Sequence, residues 1–121
     1  MLENDLVDKI LKMTEVQSKD PIIILKGKNW HEGVIGIVAA RLKDKFNKPT
    51  IIISLNGKVG KASARSIAGF DIGSAIIAAA QKKILIKGGG HKMAGGFSLK
   101  VENIEKFKNF VFRKFRNINE N

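Results

Sequence analysis

Residues 21–56 read PIIILKGKNWHEGVIGIVAARLKDKFNKPTIIISLN, and this stretch decides the fold class. Two apolar runs rich in β-branched residues, Ile22–Leu25 and Thr50–Leu55, are typical of strands buried on both faces. Between them, Val34–Phe46 places apolar residues at helical spacing, and Asn47-Lys48-Pro49 ends that helix. A strand, a helix and a strand within about 35 residues predict a βαβ unit, with a parallel strand pair and a right-handed crossover.

The chain after this unit extends the sheet. Asn56-Gly57 is a strong hairpin signal, so a third strand over Val59–Arg65 is expected to run antiparallel to the second. Further on, Asp71 is a candidate N-cap of a helix, Phe97–Val101 alternates as a strand does, and Asn103–Phe115 has a helical pattern. We therefore predict a mixed α/β domain, with a mostly parallel central sheet, helices on both faces, and a βαβ unit followed by a hairpin.

The last predicted helix carries most of the phenylalanines. Its apolar stripe consists of Ile104, Phe107, Val111 and Phe115. Phe110 and Phe112 fall outside this stripe. The residues from Asn117 onward read as a polar, frayed tail.

Residues 1–20 differ from the rest in charge, with a net charge of −2. Leu2, Leu6, Ile10 and Met13 recur at helical spacing, which predicts a helix to about Gln17. The helix either connects to a preceding domain or packs on the body as a genuine N-terminal helix. We divide the chain into a connecting helix and linker, residues 1–20, and one domain, residues 21–121.

Composition excludes several classes of protein. The 121 residues suffice for one domain with a real core, and none is a cysteine, which excludes disulfides and thiolate metal sites. No apolar run is long enough to cross a bilayer, and the acidic residues Glu3, Asp5 and Asp8 argue against a signal peptide. We expect a cytoplasmic location and no membrane partner.

Charge points to a class of ligand. The net charge is +11, and residues 21–100 alone contain fourteen basic and three acidic residues. A basic domain attracts polyanions and binds phosphates in a salt-dependent way. The alternative is general lysine decoration of the surface, because 18 of the 22 basic residues are lysine. Arg65 is one of only four arginines.

Gly88–Gly96 reads GGGHKMAGG, and five of its nine residues are glycine. Successive backbone N–H groups in such a segment can form a concave anion site, with His91 and Lys92 in its middle. The alternative is a tight turn between two strands. His91 could donate to a phosphate or ligate a metal. With two histidines and few nearby acids, a complete metal site in this chain is not expected.

Lys61–Ser66 reads KASARS and falls on the predicted third strand. Because side chains alternate along a strand, Lys61, Ser63 and Arg65 share one face, and the other three residues share the other. Two cations and a hydroxyl among small neighbours suit a sugar-phosphate backbone, with Arg65 forking onto phosphate oxygens. The alternative is a solvated edge strand whose charges discourage aggregation.

Trp30-His31-Glu32-Gly33 lies where the first strand passes into the helix. In α/β folds, ligands collect at the C-terminal ends of parallel strands and at helix N-termini, so Trp30 and His31 are placed to meet an anion or a base. The alternatives are that Trp30 anchors the core and that Glu32 only interacts with the helix dipole.

Three motifs in this order carry a resemblance: Trp30–Leu42 (WHEGVIGIVAARL), Ser63–Ser66 (SARS) and Gly89–Gly96 (GGHKMAGG). Together they resemble the DHH-associated domain of the RecJ exonucleases, single-strand-specific 5′→3′ DNA nucleases of repair and recombination in the DHH phosphoesterase superfamily. The resemblance runs from about residue 21 to residue 97. Gly95 departs from it, since the family usually has alanine there.

The resemblance implies a substrate-gripping domain with no cofactor of its own. A separate DHH domain of the same protein would hold Mn²⁺ or Mg²⁺ and perform the hydrolysis of single-stranded DNA. The isolated chain would be inactive, with His91 lining the cleft. The candidate nucleic-acid-binding residues, from the motifs and the strand face, are Trp30, His31, Lys61, Ser63, Arg65, Ser66, Gly88, Gly89, Gly90 and His91.

Two other functions are compatible with parts of the pattern. One is a fragment of a DHH phosphodiesterase that acts on very short oligonucleotides or nucleotides. The other is a non-catalytic RNA- or DNA-binding module, similar to the associated domain of alanyl-tRNA synthetases. The Trp30-His31 stretch argues against the second.

Overall fold

The computed structural model of the protein describes residues 3–16 and 19–119. A short 3₁₀ turn, Val101–Asn103, precedes the last helix. In chain order the helices and strands are α1 (Glu3–Val16), β1 (Ile23–Lys28), α2 (Glu32–Phe46), β2 (Thr50–Asn56), β3 (Val59–Arg65), α3 (Ile72–Gln81), β4 (Lys87–His91), β5 (Ala94–Lys100) and α4 (Ile104–Asn119).

The five strands form one sheet in the order β1-β2-β3-β5-β4. The mixed α/β class, the parallel β1–β2 pair and the β2–β3 hairpin are confirmed. The expectation of a mostly parallel sheet is wrong, because the other three pairings are antiparallel. Helix α2 joins the parallel neighbours β1 and β2, and two-residue turns join β2 to β3 and β4 to β5. Helix α3 joins β3 to β4, which are not neighbours because β5 lies between them.

Helices cover both faces of the sheet, as predicted. On one face α1 and α2 pack against the side chains of Ile23, Leu25 and Ile52. On the other, α3 and α4 pack against Ile51 and Ile53 among others. Alternating residues of β1 and β2 therefore serve two separate cores, which explains why the apolar runs of these strands are continuous.

The first helix packs on the body of the domain. Leu6, Val7 and Ile10 are buried in the core beneath α2. Leu2 and Gln17, the predicted limits of this helix, lie outside the described residues. In the two described ranges, no helix is both long enough and apolar enough to span a membrane.

The last helix departs from its predicted pattern in two ways. Phe110 is buried with Phe107 and Val111, because it lies one turn after Phe107 on the side of α4 that packs toward α3. The helix also continues to Asn119, so the prediction of a frayed tail from Asn117 is wrong for the described residues.

The start of α3 fixes the turn between β4 and β5. Asp71 is its N-cap, as predicted, and its carboxylate accepts hydrogen bonds from the backbone N–H and the hydroxyl of Ser74, each at 3.0 Å. The N–H of Ile72 donates to the carbonyl of Lys92 at 3.2 Å. At Gly73, a Cβ atom would lie 2.6 Å from the carbonyl oxygen of His91, so this close contact requires glycine.

The cap predicts an acid-sensitive contribution to stability. The hydrogen bonds from Ser74 lower the pKa of Asp71, so its ionised form is favoured in the folded state. This contribution is complete above the ordinary aspartate pKa of about 4 and is lost as pH falls through the lower folded value. We expect Asp71→Ala to lower the melting temperature at pH 7, and the difference from wild type to shrink below about pH 4.

Thermal unfolding followed by circular dichroism from pH 7 to pH 2 measures this difference. Asp20→Ala, which removes an exposed carboxylate outside the helices, is the matched control. A pH-independent difference between Asp71→Ala and wild type would contradict the role of the ionised cap.

Candidate nucleic-acid interface

Strand β3 divides its side chains as the alternation predicts. Ala62 and Ala64 are buried in the core under α3 and α4. Lys61 is exposed, and Ser63 and Arg65 are half-buried on the opposite face. Two cations and a hydroxyl therefore stand on the α2 side of the sheet.

Strand register brings Arg65 and His91 onto one face. Arg65 pairs with Ala94 of β5, and Ala94 pairs with His91 of β4. Paired residues of antiparallel strands point to the same side, and neighbouring strands lie about 4.8 Å apart. The Cα atoms of Arg65 and His91 are thus about 10 Å apart, with a small residue between them.

A parallel row of small residues runs beside this pair. Ser63 pairs with Gly96, and Gly96 pairs with Gly89. A Cβ atom on Gly89 would have no atom within 4 Å, and one on Gly96 would meet only the Ala62 carbonyl oxygen at 3.4 Å. The surface above these two glycines is open. We call the surface formed by Lys61, Ser63, Arg65, Gly89, His91 and Gly96 the open face.

The other side of the same hairpin is closed. A Cβ atom on Gly88 or on Gly95 would lie 2.7 Å from the Ile76 side chain of α3. These two glycines therefore serve packing, whereas Gly89 and Gly96 leave space. Gly95, where the family resemblance predicts alanine, is packed against both Ile76 and the carbonyl oxygen of Gly89.

Helix α2 forms the wall of the open face beside β3. A Cβ atom on Gly36 would lie 3.4 Å from Nη2 of Arg65 and 3.5 Å from Oγ of Ser63. The missing side chain lets the helix pass close to both groups. Nη1 of Arg65 donates to the Ala64 carbonyl at 2.8 Å, which fixes the guanidinium and uses only one of its five N–H donors.

An ion pair connects α2, the wall of the open face, to Lys61 on β3. Nζ of Lys61 lies 2.9 Å from Oε1 of Glu32, and both side chains are exposed. The hydrogen bond from Lys61 and its positive charge lower the pKa of Glu32, so the carboxylate is ionised at neutral pH. Because exposed ion pairs are weak, another anion can replace Glu32 at Lys61.

His31 is the N-cap of α2, just before Glu32. Its Nδ1 accepts a hydrogen bond from the N–H of Gly33 at 3.0 Å, so the proton of the neutral ring is on Nε2. The side chain is exposed and can donate to a ligand through that nitrogen.

Trp30 has mainly a packing role. Its indole covers Gly27, where a Cβ atom would lie 2.0 Å from the ring, and it packs against the core of α1 and α2. The hydroxyl of Ser54 donates to its carbonyl oxygen at 2.5 Å. A pocket of about 480 Å³ adjoins the exposed part of the ring and is lined by Asn29, Trp30, Glu32, Ser54, Asn56, Val59 and Lys61.

Some predicted site residues are not on the open face. The Ser66 side chain is fully buried, and its hydroxyl donates to the Phe70 carbonyl at 2.7 Å, so it is not available to a surface ligand. Gly88 faces α3. Gly90 packs against the backbone of β5. The glycine segment is two paired strands with a turn at residues 92–93, which confirms the turn interpretation over the concave loop.

Two residues of the site were missed from the sequence. Gly36 lines the wall, and its only signal was a glycine inside a helical pattern. Lys87 is on the row that begins at Lys61, because Lys61 pairs with Ser98 and Ser98 with Lys87, although Ser98 itself is buried. That row can be found only when the register is known.

The described residues contain no cluster of metal-ligating side chains. Within residues 3–16 and 19–119, no group of three histidine, cysteine, aspartate or glutamate residues could hold a metal ion.

Comparison with known proteins places the chain in a family. The family model described as the DHHA1 domain matches residues 19–117. The chain belongs to the DHHA1 domain family. The single-stranded-DNA-specific exonuclease RecJ of Bacillus subtilis is 38% identical to this DHHA1 domain over 102 residues, which is 82% of this chain and 13% of that protein. The chain thus spans a small part of the relatives it matches.

Solved structures agree with this assignment. RecJ from Thermus thermophilus in complex with Mg²⁺ matches 94% of this DHHA1 domain and 18% of its own chain, with a TM-score of 0.78 and 27% identity. The same enzyme in complex with Mn²⁺ also gives 0.78. The C-Ala domain of Aquifex aeolicus alanyl-tRNA synthetase matches 75% of the chain, with a TM-score of 0.61 and 15% identity, and shares the fold.

The packed and the open glycines of the DHHA1 hairpin predict different effects of substitution by alanine on stability. Gly88→Ala would place a methyl group against Ile76 and Phe97, at 2.7 and 2.8 Å, and we expect it to lower the free energy of unfolding by about 1–3 kcal/mol. Gly89→Ala adds the same methyl group one residue later into open space, and we expect little change. Urea denaturation of both variants measures the difference, and equal losses would contradict the assigned faces.

Proposed function

We propose that this DHHA1 domain is the substrate-gripping part of a RecJ-type exonuclease that digests single-stranded DNA in the 5′→3′ direction. The observation that carries the proposal is the open face. There, Arg65 and His91 lie on one row of the sheet, and the uncovered glycines Gly89 and Gly96 lie on the next row. The family match and the RecJ relatives supply the substrate and the reaction class.

The open face offers separate contacts for successive phosphates. Arg65 can fork onto two phosphate oxygens, and the Ser63 hydroxyl is close enough to share the same group. His91 donates from the far edge of the floor. Lys61 binds a further phosphate by exchanging it for Glu32. Gly89 and Gly96 let the sugar-phosphate backbone lie directly on the sheet.

The hydrolysis belongs to another part of the protein. A DHH domain of the full-length protein would hold Mg²⁺ or Mn²⁺, the ions named for the T. thermophilus RecJ structures, and these ions would activate water and stabilise the phosphate. Residues 1–20 would connect that domain to residues 21–121. Among the described residues no group of three acidic or histidine side chains could hold a metal ion, and we assign to these residues the binding and orientation of the strand.

Substitutions on the open face should weaken binding without unfolding the domain. We expect Arg65→Ala to weaken binding of a labelled single-stranded oligonucleotide by about 10- to 100-fold, since hydrogen bonds to charged groups contribute roughly 1.5–3 kcal/mol. Gly89→Val should also weaken it, because a side chain would hold the strand off the floor. Fluorescence anisotropy at low salt measures both affinities.

Arg41→Ala is the matched control for Arg65→Ala. Arg41 is exposed on α2, where the residue lies away from the wall at Gly36. Its removal lowers the net charge equally and should reduce binding only slightly. Equal losses in Arg41→Ala and Arg65→Ala would contradict a specific role of the open face.

Activity should require the full-length protein. With 5′-labelled single-stranded DNA and Mn²⁺, we expect no mononucleotide release from the 121-residue chain and steady release from the full-length protein. Reproducible release by the chain alone would refute the division of labour. A substrate series from dinucleotide to long strand, tested on the full-length protein, distinguishes an exonuclease from a phosphodiesterase of very short oligonucleotides.

A further inference from the structure

A pocket lined by basic residues lies on the face of the sheet opposite the open face. It has a volume of about 420 Å³ and opens between the end of α3 and the outer side of α4. The α3 and α4 helices cover the face of the sheet opposite α2, so this pocket and the open face are on opposite faces of the sheet. We call it the α4 pocket, and its lining residues are Lys82, Ile84, Lys106, Asn109, Phe110 and Arg113.

All charged side chains that line the α4 pocket are positive. Three of the six lining residues are basic and none is acidic. Among the residues that the structure describes, Lys82, Lys106 and Arg113 form no ion pair with a carboxylate. The chain contains no acidic residue from residue 106 to residue 119, and the acid just before this segment, Glu105, lies 3.8 Å from Nζ of Lys108. Like charges that converge without a counter-charge repel one another and favour a bound anion.

Phe110 gives the pocket an aromatic wall. Its ring has Nζ of Lys82 at 5.7 Å and Nζ of Lys114 at 5.4 Å from the centroid, within the range of cation–π contacts. Phe110 is buried, so its ring is fixed beside the two ammonium groups.

Part of this cluster has a simpler explanation. Lys82 follows the last residue of α3, where a cation is favoured by the helix dipole. The helix dipole does not explain the other two cations. Lys106 lies near the start of α4, the end that the dipole makes unfavourable for a cation, and Arg113 lies outside the last turn of that helix. They are seven residues apart, so they lie on the same side of the helix, two turns from each other.

We propose that the α4 pocket is a second site for the phosphate backbone of single-stranded nucleic acid, occupied by nucleotides beyond those on the open face. This inference rests on the proposed function, since it assumes a strand on the open face. A strand that is bound at one site reaches the second at a high effective concentration. Two weak sites on opposite faces therefore give a higher overall affinity than either site alone. A short oligonucleotide cannot reach both.

Oligonucleotide length separates the two sites. The test uses fluorescence anisotropy with labelled oligo-dT of about 4 and about 16 nucleotides, a range typical of single-strand binding domains. Lys106→Glu/Arg113→Glu reverses two charges in the α4 pocket. We expect it to weaken binding of the longer strand about tenfold, to reduce the salt slope by about 1.4, and to leave the shorter one unchanged.

Lys9→Glu/Lys12→Glu, on exposed positions of α1, is the control with the same change in net charge. Equal loss in this control, equal loss for both strand lengths, or no loss in the α4 variant would each overturn the proposal, provided that circular dichroism shows both variants folded. A variant that misfolds is replaced by Lys106→Gln/Arg113→Gln, which must then show the same length-dependent loss. Arg65→Ala is measured in parallel, and if it leaves binding of both strands unchanged, the proposed function itself fails.

Discussion

The antiparallel insertion of β5 between β3 and β4 is the constraint on which the rest of the site depends. It places Arg65, Ala94 and His91 on one row and Ser63, Gly96 and Gly89 on the next. A slip of one residue in either pairing would turn His91 or Arg65 toward the α3 side. The contact of Ile76 with Gly88 and Gly95 prevents a slip that would bring Lys87 or Ala94 beneath it, because a side chain does not fit there.

The α3 helix therefore controls a surface to which it does not contribute. Its N-terminus holds the hairpin turn through Ile72 and Gly73, and its middle packs under the glycines through Ile76. The opposite side of the hairpin is left uncovered. Close packing of the hairpin against α3 holds its backbone in place. The face of the hairpin that points away from α3 can therefore lack side chains at Gly89 and Gly96.

Much of the fold could be predicted from the sequence, because β-branched runs and an Asn-Gly turn are strong local signals. Phe97–Val101 was predicted as a strand and forms the second half of β5, but β4 and the first residues of β5 were not, since five glycines remove the side-chain alternation that identifies a strand. Likewise, the face shared by Lys61, Ser63 and Arg65 follows from alternation within one strand. The row from Arg65 to His91 depends on pairing across three strands. Alternation correctly placed Ser66 on the opposite side from Arg65, but that side packs into the core under α3 and α4, so Ser66 is buried.

The ion pair between Glu32 and Lys61 has a consequence for how a polymer would travel across this surface. The ammonium group of Lys61 can pair with the Glu32 carboxylate or with a phosphate of the polymer. When the polymer leaves, Glu32 can therefore replace the phosphate as the counter-ion of Lys61. Attachment and detachment at this point are then exchanges between similar partners, with a small free-energy difference in either direction. Under the proposed function, such a contact would let a DNA strand move past Lys61 with little change in free energy.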